Sequence, residues 1–267
     1  MIHTPVSADA VAEALRKLRA ARPLVHCLTN EVVQEITANV LLAAGASPAM
    51  VVAMDEAPFF TGAAGALLVN VGTPVPERLA VMHACAAAAN AKGAPWVLDP
   101  VAAGGIPWRD GEIRRLAARR PTVIRGNASE ILALAGAGKG GKGVDSTDDS
   151  RTALSAAQRL AEETGTVVCV TGPVDYATDG KRTLSIAGGN VMTTLVVGTG
   201  CSLSALCAAF AAVGKDPVNA AISACTLAKY AAGTAAKHAK GPGSFHDEYL
   251  DALYLAQPEA LTVGDAA

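Results

Sequence analysis

The sequence predicts an α/β protein of three layers, α/β/α, with a mainly parallel central sheet. Three observations carry that expectation. Nearly continuous apolar runs such as Leu67-Leu68-Val69 and Val167-Val168-Cys169-Val170 recur along the chain, as strands buried on both faces require. Segments of helical period separate them, the alternation of a parallel sheet covered by helices. The 267 residues and their 51% hydrophobic content supply the core of one large unit, taken as residues 1–267.

Val11, Leu15 and Leu18 fall on one stripe of a helix over Asp9–Arg22. Pro23–Leu28 reads as extended, and Asn30 is placed to cap a helix running to about Ala44. A short strand is expected over Ala49–Ala53 and an apolar strand over Gly65–Gly72, followed by a helix over Pro76–Lys92. Pro95–Pro100 and Thr122–Arg125 read as further strands, the second leading into a helix at Ala128. The glycine-rich stretch 136–150 reads as a surface loop that could close over a nucleotide. A helix over Ser150–Thr164 precedes a strand over Thr166–Thr171. Asp179-Gly180 then joins Val174–Thr178 to Lys181–Ile186 as a hairpin. Thr193–Val197 is expected to be a short strand, and the chain from Gly200 onward to be almost all helix.

Composition excludes several classes. The net charge is −2, from 22 basic and 24 acidic residues spread along the chain, which argues against a nucleic-acid surface or a polybasic membrane patch. No run of about 18 apolar residues has the bulk of a membrane span. The first nine residues lack the basic and apolar regions of a signal peptide, so a cytoplasmic location is expected. The six cysteines have no C-x-x-C spacing and read as reduced thiols, not as a disulfide frame or zinc site. There is no G-x-x-x-x-G-K-[ST], and no G-x-G-x-x-G follows the first strand.

In parallel α/β sheets, ligands gather at the carboxyl ends of the strands. His26 and Asn30 close the first strand, as a buried histidine and a cap or as site groups. Met50 closes the second, as core or as contact for an aromatic ring. Asp99 stands after an apolar strand, where a carboxylate caps a helix or holds a cation. Arg125 suits phosphate oxygens. Asn127 and Glu130, three apart on a first helical turn, suit either magnesium or a capping box. Thr171 offers a hydroxyl to phosphate. Gly198-Thr199-Gly200-Cys201 opens a helix whose free N–H groups form an anion hole. Cys201 is there either a core thiol or one whose pKa the helix lowers. An anion site, carboxylates and an arginine on successive strand ends are the equipment of phosphoryl transfer. A Cys201–His26 thiol hydrolase pair and a non-catalytic carrier are the readings from other classes.

These residues resemble a known family. Asn127-Ala128-Ser129-Glu130 is similar to the N-x-x-E magnesium motif of the ribokinase-like superfamily. Gly198-Thr199-Gly200-Cys201 resembles its G-[AT]-G-D anion hole, with cysteine where aspartate is usual, as in the hydroxyethylthiazole kinase branch. Val25–Asn30, Gly45–Met50, Leu98–Val101, Arg125–Asn127 and Lys240–Phe245 resemble that branch too.

The resemblance implies a kinase that uses ATP and Mg2+ to phosphorylate 4-methyl-5-(2-hydroxyethyl)thiazole in thiamine salvage. It implies that Met50 and Gly198, with Asn30 nearby, contact the thiazole, and that Arg125 and Thr171 bind ATP. Glu130, Asp99 and Asn127 would serve the metal, and Cys201 would stand where the superfamily has its base. It also implies a homotrimer with sites between subunits. Pyridoxal or hydroxymethylpyrimidine kinase and a repair dehydratase for hydrated nicotinamide cofactors are the neighbouring activities.

Overall fold

The computed structural model describes residues 3–137 and 150–261. Its elements, in chain order, are β1 (Thr4–Pro5), α1 (Ala8–Ala21), β2 (Leu24–Leu28), α2 (Gln34–Ala44), β3 (Ser47–Ala49), α3 (Ala57–Ala63), β4 (Ala66–Asn70), α4 (Pro76–Lys92) and β5 (Trp96–Asp99). Then follow α5 (Pro107–Ala117), β6 (Val123–Asn127), α6 (Ala128–Leu134), α7 (Ser150–Thr164), β7 (Val167–Thr171), β8 (Val174–Thr178) and β9 (Thr183–Ala187). The long helices α8 (Thr199–Val213), α9 (Pro217–Ala235) and α10 (Pro242–Leu255), with 3-10 turns at Val191–Leu195 and Pro258–Ala260, complete the set.

Among the described residues the strands form one sheet in the order β1-β9-β8-β7-β6-β5-β4-β2-β3. Strands β2 to β7 are all parallel, and only β8 runs against its neighbours. Period-two alternation sorts the strand residues to two cores. Ala66 and Leu68 of β4 and Cys169 of β7 pack under α1, α2, α8, α9 and α10. Leu67 and Val69 of β4 and Val168 and Val170 of β7 pack under α3, α4, α5, α6 and α7. The expected three-layer arrangement is therefore present. The stripe of Val11, Leu15 and Leu18 is fully buried. Each such side chain contributes about 1.5–3 kcal/mol through burial.

Three local expectations are corrected. Thr193–Val197 is not a strand, because Val191–Leu195 is a 3-10 helix. The Asn190 side chain accepts the Met192 N–H at 2.9 Å, and the hydroxyls of Thr193 and Thr194 bond back to the carbonyls of Asn190 and Val191. These local bonds replace a ladder. The strand expected over Ala49–Ala53 is β3, which ends at Ala49 and does not reach Ala53. It lies at the sheet edge, where Pro48 is tolerated and no outer partner among the described residues extends it. The third concerns α2, which starts at Gln34, so Asn30 does not cap it. The Asn30 side-chain oxygen takes the Val32 N–H at 3.0 Å instead. The loop expected over 136–150 falls largely on residues 138–149, outside the described residues.

Candidate active site

Parallel strands β2 to β7 deliver their last residues to one edge, and the N-termini of α6 and α8 meet them there. Asn127 caps α6 by accepting the Glu130 N–H at 2.9 Å, while the Glu130 carboxylate accepts the Asn127 N–H at 2.9 Å. The capping box foreseen for this pair thus exists. The other Glu130 oxygen accepts the Ala102 N–H at 3.0 Å, fixing the loop after β5. Gly126 keeps this packing open, since a Cβ there would lie 3.2 Å from a Glu130 oxygen.

The start of α8 depends on Gly198. Its φ is +90°, and a Cβ would come within 2.4 Å of the Ile36 side chain. Both facts demand glycine. The Gly198 carbonyl takes the Ser202 N–H at 2.8 Å, so the helix begins at once. The N–H groups of Thr199, Gly200 and Cys201 find no acceptor among the described residues and form the concave donor set expected there. The Thr199 hydroxyl donates to the Thr193 carbonyl at 2.8 Å and ties the preceding 3-10 turn to the site.

Arg125 reaches the same place from β6. Its guanidinium donates to the Gly200 carbonyl at 2.9 Å and to the Thr171 hydroxyl at 2.6 Å. Its Nε is buried without a hydrogen-bond partner. Burial opposes the charged guanidinium, but the nearby Asp99 and Glu130 outweigh it and raise the pKa. Arg125 is permanently charged and mostly committed to aligning its neighbours.

Sequence reasoning missed a polar chain behind Cys201. The Asn30 amide donates to the Asn70 side-chain oxygen at 2.9 Å and lies 3.6 Å from the Cys201 sulfur. Asn70 donates to Asp99 at 2.8 Å, and the Ser204 hydroxyl donates to the same Asp99 oxygen at 2.8 Å. Gly72 makes room for this, because a Cβ would fall 2.7 Å from the Asn30 side chain. Two signals could have found the missed pair. Asn70 ends an apolar strand at the ligand-bearing edge, as Asp99 does, and Ser204 stands one helical turn beyond Cys201.

Burial pushes the Asp99 carboxyl up, with Arg125 pulling it down and Glu130 adding to the rise. Burial raises Glu130 as well, against the two backbone N–H bonds it accepts and the charge of Arg125. Two buried acids therefore share one guanidinium, and the raised pKa of each shows that ionising both at once is opposed. Burial and the charge of Asp99 push the Cys201 thiol up to about 12, against the pull of Asn70, Arg125 and Asn30. At neutral pH the sulfur is protonated.

The structure separates His26 from this site. Both its ring nitrogens are engaged, one 2.8 Å from the Thr61 hydroxyl and one 2.7 Å from the Val51 carbonyl. The ring meets Phe60 edge-on at 5.1 Å. It is a buried pillar that fixes the segment after β3, so a Cys201–His26 thiol pair is not formed. Met50 starts that segment, half-buried against the core under α2 and α8. A basin lined by His83, Glu112, Arg115 and Arg119 shares no residue with the site, and its polar groups bond one another.

Comparison with known proteins places the chain in a family. Residues 15–259 match the model of the Hydroxyethylthiazole kinase family. The chain is 53% identical over 250 residues to the hydroxyethylthiazole kinase of Serratia proteamaculans strain 568, covering 94% of this chain and 95% of that one. It superposes on the structure of the hydroxyethylthiazole kinase protein from Pyrococcus horikoshii OT3 with a TM-score of 0.85 and 39% identity, covering 92% and 93% of the two chains. A ribokinase-like superfamily protein from Enterococcus faecalis V583 shares the fold at 15% identity, with a TM-score of 0.67 over 96% and 97% of the chains.

Proposed function

Because this chain belongs to the hydroxyethylthiazole kinase family, we propose the following division of labour for its reaction. The protein transfers a phosphoryl group from ATP to the side-chain hydroxyl of 4-methyl-5-(2-hydroxyethyl)thiazole, giving the thiazole phosphate for thiamine salvage. The observation that carries this reading is the convergence of three unpartnered N–H groups of α8, the Arg125 guanidinium and the carboxylates of Asp99 and Glu130. Phosphoryl transfer needs little covalent help from a protein; it needs alignment and charge stabilisation.

Arg125 and Thr171 hold the ATP phosphates. The N–H groups of Thr199, Gly200 and Cys201 receive the charge that grows on the transferred group. Gly198, Met50 and Asn30 contact the thiazole, with Met50 offering a polarizable face to the ring. Glu130 and Asp99 hold Mg2+, with Asn127 acting through the Glu130 orientation it fixes. The donor set fits that ion: two hard carboxylates, completed by water and phosphate, are the usual magnesium environment, and the opposition to ionising both buried acids is what a dication would offset. When bound, Mg2+ neutralises phosphate charge. Asn70 and Ser204 keep one Asp99 oxygen occupied and so set the direction of the other. Cys201 positions the acceptor hydroxyl as a neutral thiol, and the anion hole supplies most of the stabilisation.

The one sheet through the described residues supports a single catalytic unit, and an ATP-using salvage enzyme belongs in the cytoplasm. Among the described residues no helix is long and apolar enough to cross a membrane. A homotrimer with sites between subunits is supported by exposed Val32, Val52, Met54, Leu195 and Val197, which flank Asn30, Met50 and Gly198. Apolar surface beside a site is a signature of an interface; sedimentation as a monomer would remove this part.

The test of the function is acceptor-dependent ADP release from Mg-ATP, with the thiazole alcohol compared with pyridoxine and hydroxymethylpyrimidine. Turnover with the thiazole alcohol is expected. Turnover with only another alcohol would keep the phosphate site and discard the roles given to Asn30 and Met50.

A further inference from the structure

Lys229 of α9 carries a charge that the reaction above does not use. Its ammonium donates to the carbonyl oxygens of Gly172 at 2.9 Å, Pro173 at 3.1 Å and Gly188 at 3.1 Å. The Asp175 carboxylate lies 3.3 Å away, and the two side chains are 11% and 5% exposed. An ammonium has three N–H donors, so the three carbonyls use all of them while the carboxylate balances the charge. Three carbonyl oxygens and one carboxylate around a compact positive charge also form the oxygen shell of a hard monovalent cation.

The backbone is shaped for that shell. Gly188 and Gly189 have φ of +112° and +83°, which turns the Gly188 carbonyl inward. A Cβ on Gly189 would lie 3.3 Å from Cγ of Lys229, so this glycine lets the lysine stem pass. Asp175 also accepts the Gly172 N–H at 2.9 Å. Gly172 directly follows Thr171, whose hydroxyl receives Arg125.

We propose that Lys229 is a positioning residue for the nucleotide: its ammonium acts as a tethered internal cation that locks the turn after β7 and so aims Thr171 and Arg125 at phosphate. This rests on the assignment of Thr171 and Arg125 as phosphate contacts. A tethered cation has a consequence that plain core packing lacks. Once the lysine head is removed, a free cation of similar size can take its place.

The experiment is Lys229→Ala assayed in a buffer whose only monovalent cation is tetramethylammonium, then with potassium, ammonium or methylammonium added. The KM for ATP is expected to rise about tenfold while the KM for the thiazole alcohol stays unchanged. One of the small cations is expected to restore the ATP KM, to which the wild type is indifferent. An unchanged ATP KM overturns the proposal, as does a defect that no cation relieves. Lys229→Met, which keeps the stem, is the second variant. Failure of both to fold, with or without the cations, assigns Lys229 to packing alone and overturns it equally. If the wild type shows no kinase turnover, the kinase reading fails separately; binding of a fluorescent ADP analogue then replaces KM as the readout.

Discussion

The guanidinium of Arg125 donates to the carbonyl oxygen of Gly200 at 2.9 Å, so one side chain joins the end of β6 to the first turn of α8. The close fit is visible in Gly200 itself, where a Cβ would lie 3.2 Å from that guanidinium. The ends of β6 and β7 and the first turn of α8 are therefore tied together by a single planar fork, which also reaches Thr171.

Arg125→Lys keeps the charge and loses the fork. The KM for ATP is expected to rise by about tenfold to a hundredfold, with the KM for the acceptor little changed. Steady-state kinetics varying each substrate checks this. An equal rise for both substrates would remove Arg125 from the phosphate side.

Cys201 has a thiol pushed to about 12, and only the thiolate alkylates readily. A raised pKa keeps the neutral form dominant below it, so iodoacetamide labelling is slow at neutral pH. It should climb about tenfold per pH unit until the pKa is reached. Peptide mass spectrometry reads the rate at this residue, the one half-buried cysteine of the six. Fast labelling near pH 7 would contradict the protonated state assigned to it.

Asn70 is buried and serves Asn30, Asp99 and the Gly72 N–H together. Asn70→Ala leaves those groups without their partner, and unsatisfied buried polar groups are costly. A loss of about 2–4 kcal/mol in urea unfolding is expected. A change below about 0.5 kcal/mol would show that the polar chain is not holding this region.

Gly198→Ala places a methyl where Ile36 stands and forces φ of +90° on a residue with a side chain. The strain costs about 1–3 kcal/mol. Relief requires the start of α8 to shift, so kcat should fall by more than the stability loss alone explains. Normal kcat in a folded variant would mean that the first turn of α8 is not the charge-stabilising element.

Much of this was legible from sequence because the governing signals are local. Period-two and helical patterns identified most strands and helices, and Asn127 and Glu130 announce their capping box by spacing. Where side chains compete with the backbone, pattern fails: Asn190, Thr193 and Thr194 turn an apolar, β-branched run into a 3-10 helix. Partners distant in sequence were equally hidden. Asn30 looks like a helix cap until the fold brings Asn70 to it across 40 residues, and Ser204 meets Asp99 across 105. His26 carries a site-like identity, yet it lies in the middle of β2 and Thr61 and Val51 occupy both its nitrogens.

The most direct test of the mechanism is kcat for Cys201→Asp with Mg-ATP and the thiazole alcohol. If the anion hole and Arg125 carry the stabilisation and the protonated thiol only positions the hydroxyl, the aspartate variant turns over as fast as the wild type or faster. A loss of orders of magnitude would contradict that and make the sulfur itself essential to the proton transfer.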